Sequence, residues 1–390
     1  MTAPKTGVVA GGDRTATASL FTRIRLGSLD LPNRLVMAPM TRMRADEDGV
    51  PTDLMVEHYR QRASMGLIVT EGTWPVVEGR SWIGQPGIET RAHVDGWAEV
   101  VEAVHEGGGR IVLQIMHGGR ESHPELTGTG RVVAPSAIAG LDPVRVPSGK
   151  VDAPVPHVLE LDEIETVVEG FARAALNAVR AGFDGVQVHG ANGYLVHQFL
   201  SAACNARTDA YGGSPGHRRR FAVEVTRAVV QAVGGGRTSI RLSPQHDVLY
   251  GLSSGTGVVD ETYVGLARDL QPLNLAFIDV VHSDPASRLV QAIRRSSGTP
   301  LVANTGFGSM TTRTEAAALI DDDLAEAVGV GRAVLANPDL VRRWRDGGAE
   351  NAPDLDGFYT GGARGYTDYP MSTQWLGSGG SRSPADPHGS

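Results

Sequence analysis

The chain has 390 residues, 41% of them hydrophobic, with 36 basic against 44 acidic residues and a net charge of −8. This length leaves one or two domains open, because α/β barrels use about 250 residues or more as one unit. The charge provides no broad basic face for nucleic acid or an anionic membrane, and the single cysteine, Cys204, excludes an intramolecular disulfide framework and a cysteine-rich metal cluster.

Residues 1–18 and 376–390 are rich in Gly, Ser, Thr, Pro and Ala and poor in large apolar groups, so two flexible tails are expected around one domain at 19–375. The N-terminus has no apolar core of signal-peptide length, and no run of about 18 apolar residues occurs. With the lone cysteine, this predicts a cytoplasmic protein, as a monomer or homo-oligomer.

In chain order, short β-branched apolar runs fall at 34–39, 66–72, 110–117, 183–190, 238–244, 276–282, 300–306 and 326–332. Stretches of 3.6-residue periodicity alternate with them, such as 93–108 and 161–182. Eight strands, each with a helix, predict an α/β fold of the (β/α)8 TIM-barrel class, with eight parallel strands. Segment 118–160 is too long for an ordinary connection after the third strand and predicts a lid. An open doubly wound sheet would carry an early glycine fingerprint, which the first turn, PMTRMRADEDGVPTDL, lacks.

Barrel strands are buried on both faces, so a polar side chain in mid-strand costs several kcal/mol unless it is satisfied. Gln114, Gln187, His189 and Arg241 are such interruptions. A period of two puts Gln114 on a face with Val112 and Met116, leaving Ile111, Leu113 and Ile115 for the helix layer. Gln114 and Arg241 then point into the barrel mouth. Satisfied core polars or an internal ion pair are the competing reading. His189, Arg241, Asn304 and Arg332 all fall at carboxyl ends of strands, where sites of this fold sit, and a flat polar cofactor such as a flavin would engage them.

The last two strands end in ANTGFGS and GVGRAVLANPD. Gly306, Gly308, Gly331 and Arg332 therefore stand at the usual phosphate turns of a barrel, although such turns also serve simply to start helices. Just past the fourth strand, HGANGYLVHQFL offers His189, Asn192 and Tyr194. A spacing of three at a helix start brings His189 and Asn192 near one another, where two donors can clasp one carbonyl and make a conjugated alkene a hydride acceptor. Tyr194 is a proton donor for the α-carbon. A helix N-terminus that is merely polar is the alternative.

Taken in order, LPNRLVMAPMTRMRA (31–45), VTEGTW (69–74), HGANGYLVHQFL (189–200), CNARTDAYGGS (204–214), RLSP (241–244), GVGRAVLANPDL (329–340) and GYTDYP (365–370) resemble the signatures of the Old Yellow Enzyme family of FMN-dependent ene-reductases. The resemblance covers about residues 20–372. It implies FMN as cofactor, NAD(P)H as reductant, a small activated alkene as substrate and ping-pong kinetics. Pro39, Met40 and Thr41 would form the turn against the flavin, with the Thr41 hydroxyl on a ring carbonyl. Gly72 would give clearance beside the ring, Gln114 would bond its pyrimidine edge, and Arg241 would stabilise the reduced ring. Gly306, Phe307, Gly331 and Arg332 would hold the phosphate. His189 and Asn192 would bind the substrate carbonyl, Tyr194 would donate the proton, and Met116 and Tyr366 would shape the substrate pocket.

The chain departs from the family at Met116, where members with threonine at the Thr41 position often have tryptophan, at YGGSPGHRRRF (211–221), and at Cys204, read as a buried small hydrophobe. A tailoring desaturase, isomerase or nitro-group reductase would share the flavin features. A flavin-binding protein without turnover is set against the intact His189, Asn192 and Tyr194. A metal-dependent barrel hydrolase is set against the absence of H-x-H and H-E-x-x-H, so no metal site is expected.

Overall fold

A computed structural model describes residues 17–244, 256–306, 308, 310–359 and 361–372. The expected tails, apart from Thr17 and Ala18, lie outside the described residues, as does the phosphate candidate Phe307. Eight parallel strands close into a barrel: β1 (Leu35–Met37), β2 (Leu67–Val69), β3 (Ile111–Ile115), β4 (Gly185–Gly190), β5 (Thr238–Leu242), β6 (Phe277–Val281), β7 (Leu301–Asn304) and β8 (Ala327–Val330). The outer layer holds α1 (Asp53–Arg60), α2 (Arg91–Glu106), α3 (Leu161–Arg180), α4 (Arg220–Val233), α5 (Thr256–Leu270), α6 (Arg288–Ser297), α7 (Arg313–Asp321) and α8 (Leu340–Asp346).

Alternation along the strands decides which side chains face the helices. Ile111, Leu113 and Ile115 of β3 pack with Trp97, Val100 and Val104 of α2 and with Ile164 and Phe171 of α3. Val112 faces inward, among Val36, Leu67, Val69, Phe277, Val302 and Ala327. An antiparallel hairpin not expected from the sequence, Ile24–Leu26 with Leu29–Leu31, joins this inner cluster through Leu26, Leu29 and Leu31.

The helices follow their sequence signals. α3 buries Ile164, Val167, Phe171, Ala174, Ala175 and Ala178, a stripe at helical spacing. Thr90 caps α2 by accepting from the His93 N–H, and Thr312 with Glu315 forms a capping box on α7. Among the described residues, no helix is long and apolar enough to cross a membrane.

Barrel register sets the polar residues level. Gln187 stands beside Gln114, and Arg241 lies between His189 and Asp279 on neighbouring strands. After β3 the chain makes its long excursion, which contains a short hairpin, Val144–Val146 with Gly149–Val151.

Candidate active site

The polar side chains inside the barrel form one hydrogen-bonded chain. Gln114 Nε2 donates to Gln187 Oε1 at 2.7 Å, Gln187 Nε2 donates to Asp279 Oδ2 at 3.3 Å, and Arg241 Nη1 pairs with the same carboxylate oxygen. Both charged side chains are only 3% exposed. Burial pushes the Asp279 carboxyl upward against the opposing pull of Arg241. Arg241 Nε and Asp279 Oδ1 nevertheless have no partner in the protein. Buried polar groups left this way carry a desolvation cost, so the top of the ring is built to meet a polar ligand.

Above the ring lies a cavity of about 350 Å³. Pro39, Met40 and Thr41 from the turn after β1, Arg241 from β5, Asn304 and Gly306 from β7, and Gly331 and Arg332 from β8 all line it. Gly306 sits at φ +92°, a conformation that favours glycine, and its N–H donates to Asn304 Oδ1 at 3.0 Å. A Cβ placed on Gly331 would meet only Met40 Sδ, at 3.4 Å, so the space beside this backbone is open. The cavity thus combines the Arg241 guanidinium, glycine-rich turns at its β7 and β8 end and the Arg332 guanidinium there, a donor set that fits a planar heterocycle carrying a phosphomonoester.

The wall opposite comes from the C-terminal segment, where Leu355, Phe358 and Tyr359 line the same cavity. Two buried arginines from the β1 turn hold this segment by its main chain. Arg44 donates to the carbonyls of Phe358 and Gly357, both at 2.8 Å, and Arg42 donates to that of Gly365 at 2.8 Å. Glu71, at the end of β2, accepts the Arg42 backbone N–H at 3.0 Å and the Tyr59 hydroxyl at 3.3 Å. Burial raises the Glu71 carboxyl to about 7, although the Arg42 N–H and charge pull it down.

His189 is the penultimate residue of β4, in register with Arg241. Its ring meets that of Tyr194 edge-on, with centroids 5.1 Å apart. The expected helix-start spacing does not produce this arrangement: the helix begins only at Leu195, and Asn192 and Gly193 form a turn with φ of +58° and +83°. Asparagine tolerates that left-handed conformation. Here it is anchored by the Asn192 N–H donating to Ser243 Oγ at 2.8 Å. Asn192 and Tyr194 line a second cavity of about 330 Å³ with Trp82, Arg120 and the Val144–Val151 hairpin, which places the long excursion over this mouth. Trp82 joins the two cavities, because its ring stacks on Tyr359 with centroids 6.4 Å apart.

Five of the expected site residues, Gly72, Gln114, Met116, His189 and Tyr366, line neither of the two cavities. Tyr366 is fully buried and lines neither cavity: it stacks on His58 at 3.9 Å, under the Arg44 guanidinium. Tyr359, seven residues earlier, reaches the cavity instead. Met116 is buried against Gly72, where an added Cβ would lie 2.5 Å from the Met116 Sδ, so the clearance at Gly72 accommodates that side chain. Asp279, Trp82 and Tyr359 were missed by the sequence reading. Only Asp279, a carboxylate within an otherwise apolar strand run, gave a usable signal.

The chain is similar to known proteins over most of its length. The family model of the NADH:flavin oxidoreductase / NADH oxidase family matches residues 19–351. A probable flavin mononucleotide-dependent alkene reductase of Leishmania infantum is 44% identical over 359 residues, covering 89% of this chain and 95% of that protein. 12-oxophytodienoate reductase 7 of Oryza sativa subsp. japonica is 36% identical, covering 93% and 96%. The solved structure of morphinone reductase superposes with a TM-score of 0.85 at 41% identity, covering 91% of this chain and 96% of that one.

Proposed function

The chain belongs to the Old Yellow Enzyme family of NADH:flavin oxidoreductases, and on that premise we propose how its residues divide the work of the reaction. It is an FMN-dependent oxidoreductase that reduces activated C=C bonds with NAD(P)H. When bound, FMN would supply the two-electron hydride chemistry that links NAD(P)H oxidation to alkene reduction.

Pro39, Met40 and Thr41 form one wall for the cofactor. Gln114, oriented by Gln187, and Arg241, oriented by Asp279, meet its polar edge, and Gly306, Gly331 and Arg332 hold its phosphate. The Arg241 guanidinium, held by Asp279, would stabilise negative charge on the bound group. His189 and Asn192 bind the substrate carbonyl and draw electrons from the conjugated alkene, and Tyr194 gives a proton to the α-carbon. The lid hairpin and Trp82 exclude water from that mouth. The single cysteine fits residence in a reducing cytoplasm, which cell fractionation tests.

The observation that carries this reading is the cavity shared by residues from the ends of β1, β5, β7 and β8 above a ring whose Arg241 Nε and Asp279 Oδ1 lack partners. Purified protein should be yellow and release FMN on denaturation. Anaerobic NADPH or NADH should bleach it, and cyclohexenone should restore the colour. Protein that is colourless and fails to take up added FMN would remove the cofactor assignments. Protein that is bleached but not reoxidised by any enone would remove the substrate assignments alone.

A further inference from the structure

Tyr194 is held by a residue from a distant loop. Its phenolic oxygen accepts a hydrogen bond from Trp82 Nε1 at 3.1 Å, across 112 positions of sequence. An indole N–H can only donate, so the tryptophan fills a lone pair of the phenol and can never take its proton. The hydroxyl hydrogen is thereby left for another acceptor.

Trp82 is itself fixed from two sides. Its ring stacks on Tyr359 at an interplanar angle of 13°. Its backbone N–H donates to Gln85 Oε1 at 3.2 Å, which also accepts from the Ser81 N–H at 2.7 Å, while Gln85 Nε2 donates to the Gly72 carbonyl at 2.9 Å. Gln85 is fully buried, so this support is rigid. The indole therefore reaches Tyr194 from a frame tied to the end of β2, independent of the β4 turn that carries the tyrosine.

We propose that Trp82 is a positioning residue for the proton donor, aiming the Tyr194 hydroxyl at the substrate and stabilising the phenolate that remains. The inference rests on the assignment of Tyr194 as donor. In the step concerned, the β-carbon gains a hydride that originates from NAD(P)H, and the O–H bond of Tyr194 breaks as its proton joins the α-carbon. The electron pair stays on the phenolic oxygen, which solvent reprotonates. While that oxygen is negative, the Trp82 N–H makes a charge-assisted hydrogen bond to it, stronger than the one to the neutral phenol, so the contact favours the product side of proton transfer.

The test follows the two half-reactions separately in the FMN-loaded enzyme, by anaerobic stopped flow with NADPH and then cyclohexenone. Trp82→Phe keeps the stacked ring and deletes the donor, whereas Trp82→His keeps a ring N–H. Trp82→Phe should slow reoxidation by roughly ten- to a hundredfold, the worth of a hydrogen bond to a charged group, with flavin reduction changing much less. Trp82→His should recover part of that loss. In a Tyr194→Phe background, Trp82→Phe should add almost nothing, because the two residues act through one proton.

Equal slowing of both half-reactions, or a full additive loss in the Tyr194→Phe background, would show that Trp82 only packs and would overturn the proposal. If Tyr194→Phe leaves reoxidation unchanged, the donor assignment itself fails and this inference falls with it, a result distinguishable from the other two.

Discussion

Replacing Asp279 with alanine tests the ring beneath the cofactor cavity. The substitution removes the acceptor of Arg241 Nη1 and of Gln187 Nε2 and leaves a guanidinium 3% exposed with no countercharge in the ring. Breaking a buried pair from one side costs roughly 3–5 kcal/mol. An unfolding entropy of about 2.1 cal/mol/K per residue amounts to about 0.8 kcal/mol/K for a chain of this size, so the melting temperature of flavin-free protein should fall by roughly 4–6 °C. The double variant Asp279→Leu/Arg241→Met removes both charges at similar volume and should recover most of that loss. It should not recover FMN affinity, because the group that meets the ring edge is gone. Thermal melts of flavin-free protein, with FMN titrated separately by fluorescence quenching, read both effects. An Asp279→Ala protein that melts with the wild type, or a double variant that falls as far as the single one, would refute the buried-pair reasoning.

Other perturbations follow from the same geometry. Burial raises the Glu71 carboxyl from its ordinary 4.5 to about 7, so the folded state holds the proton more tightly than the unfolded chain. The stability this confers is complete below about pH 4.5 and is lost as pH rises through about 7. The melting difference between wild type and Glu71→Gln should therefore shift across that window by on the order of 3 kcal/mol, and a flat difference would contradict the burial assigned to Glu71. His189→Ala with Asn192→Ala should lower cyclohexenone turnover by at least about a hundredfold while the flavin absorbance persists, and unchanged turnover would remove the carbonyl clasp. Gly72→Ala drives a methyl to 2.5 Å from the Met116 Sδ, an overpacking that costs roughly 1–3 kcal/mol. Adding Met116→Ala should make the alanine at 72 less costly, and undiminished loss would show that the strain lies elsewhere.

The sequence revealed the barrel because each strand is sealed on both faces and so reads as a short apolar run. The same sealing made Gln114, Gln187, His189 and Arg241 conspicuous. Their competing reading as an internal network also describes them, since Gln114 and Arg241 reach one carboxylate through Gln187 and directly. Asp279 interrupts FIDVV as Gln114 interrupts IVLQI and so was legible, but its value lies in a neighbour 38 positions away. Tyr359 and Trp82 sit in irregular segments with no periodicity to mark a facing direction, so a motif containing Tyr366 drew attention to a buried aromatic instead. The Ile24–Leu26 and Leu29–Leu31 strands are too short for a pattern to show.

Arg42 and Arg44 grasp the C-terminal arch by peptide oxygens, a feature every amino acid possesses. Substitutions at Leu355, Phe358 or Tyr359 can therefore recontour the chamber without untying the arch, whereas Gly357 and Gly365, whose backbones press together so closely that a Cβ on either would lie 2.9 Å from the other's Cα, admit no such change. The protein separates the anchoring of this arch from the surface it displays, and new substrate preferences can be sought there without renegotiating the fold.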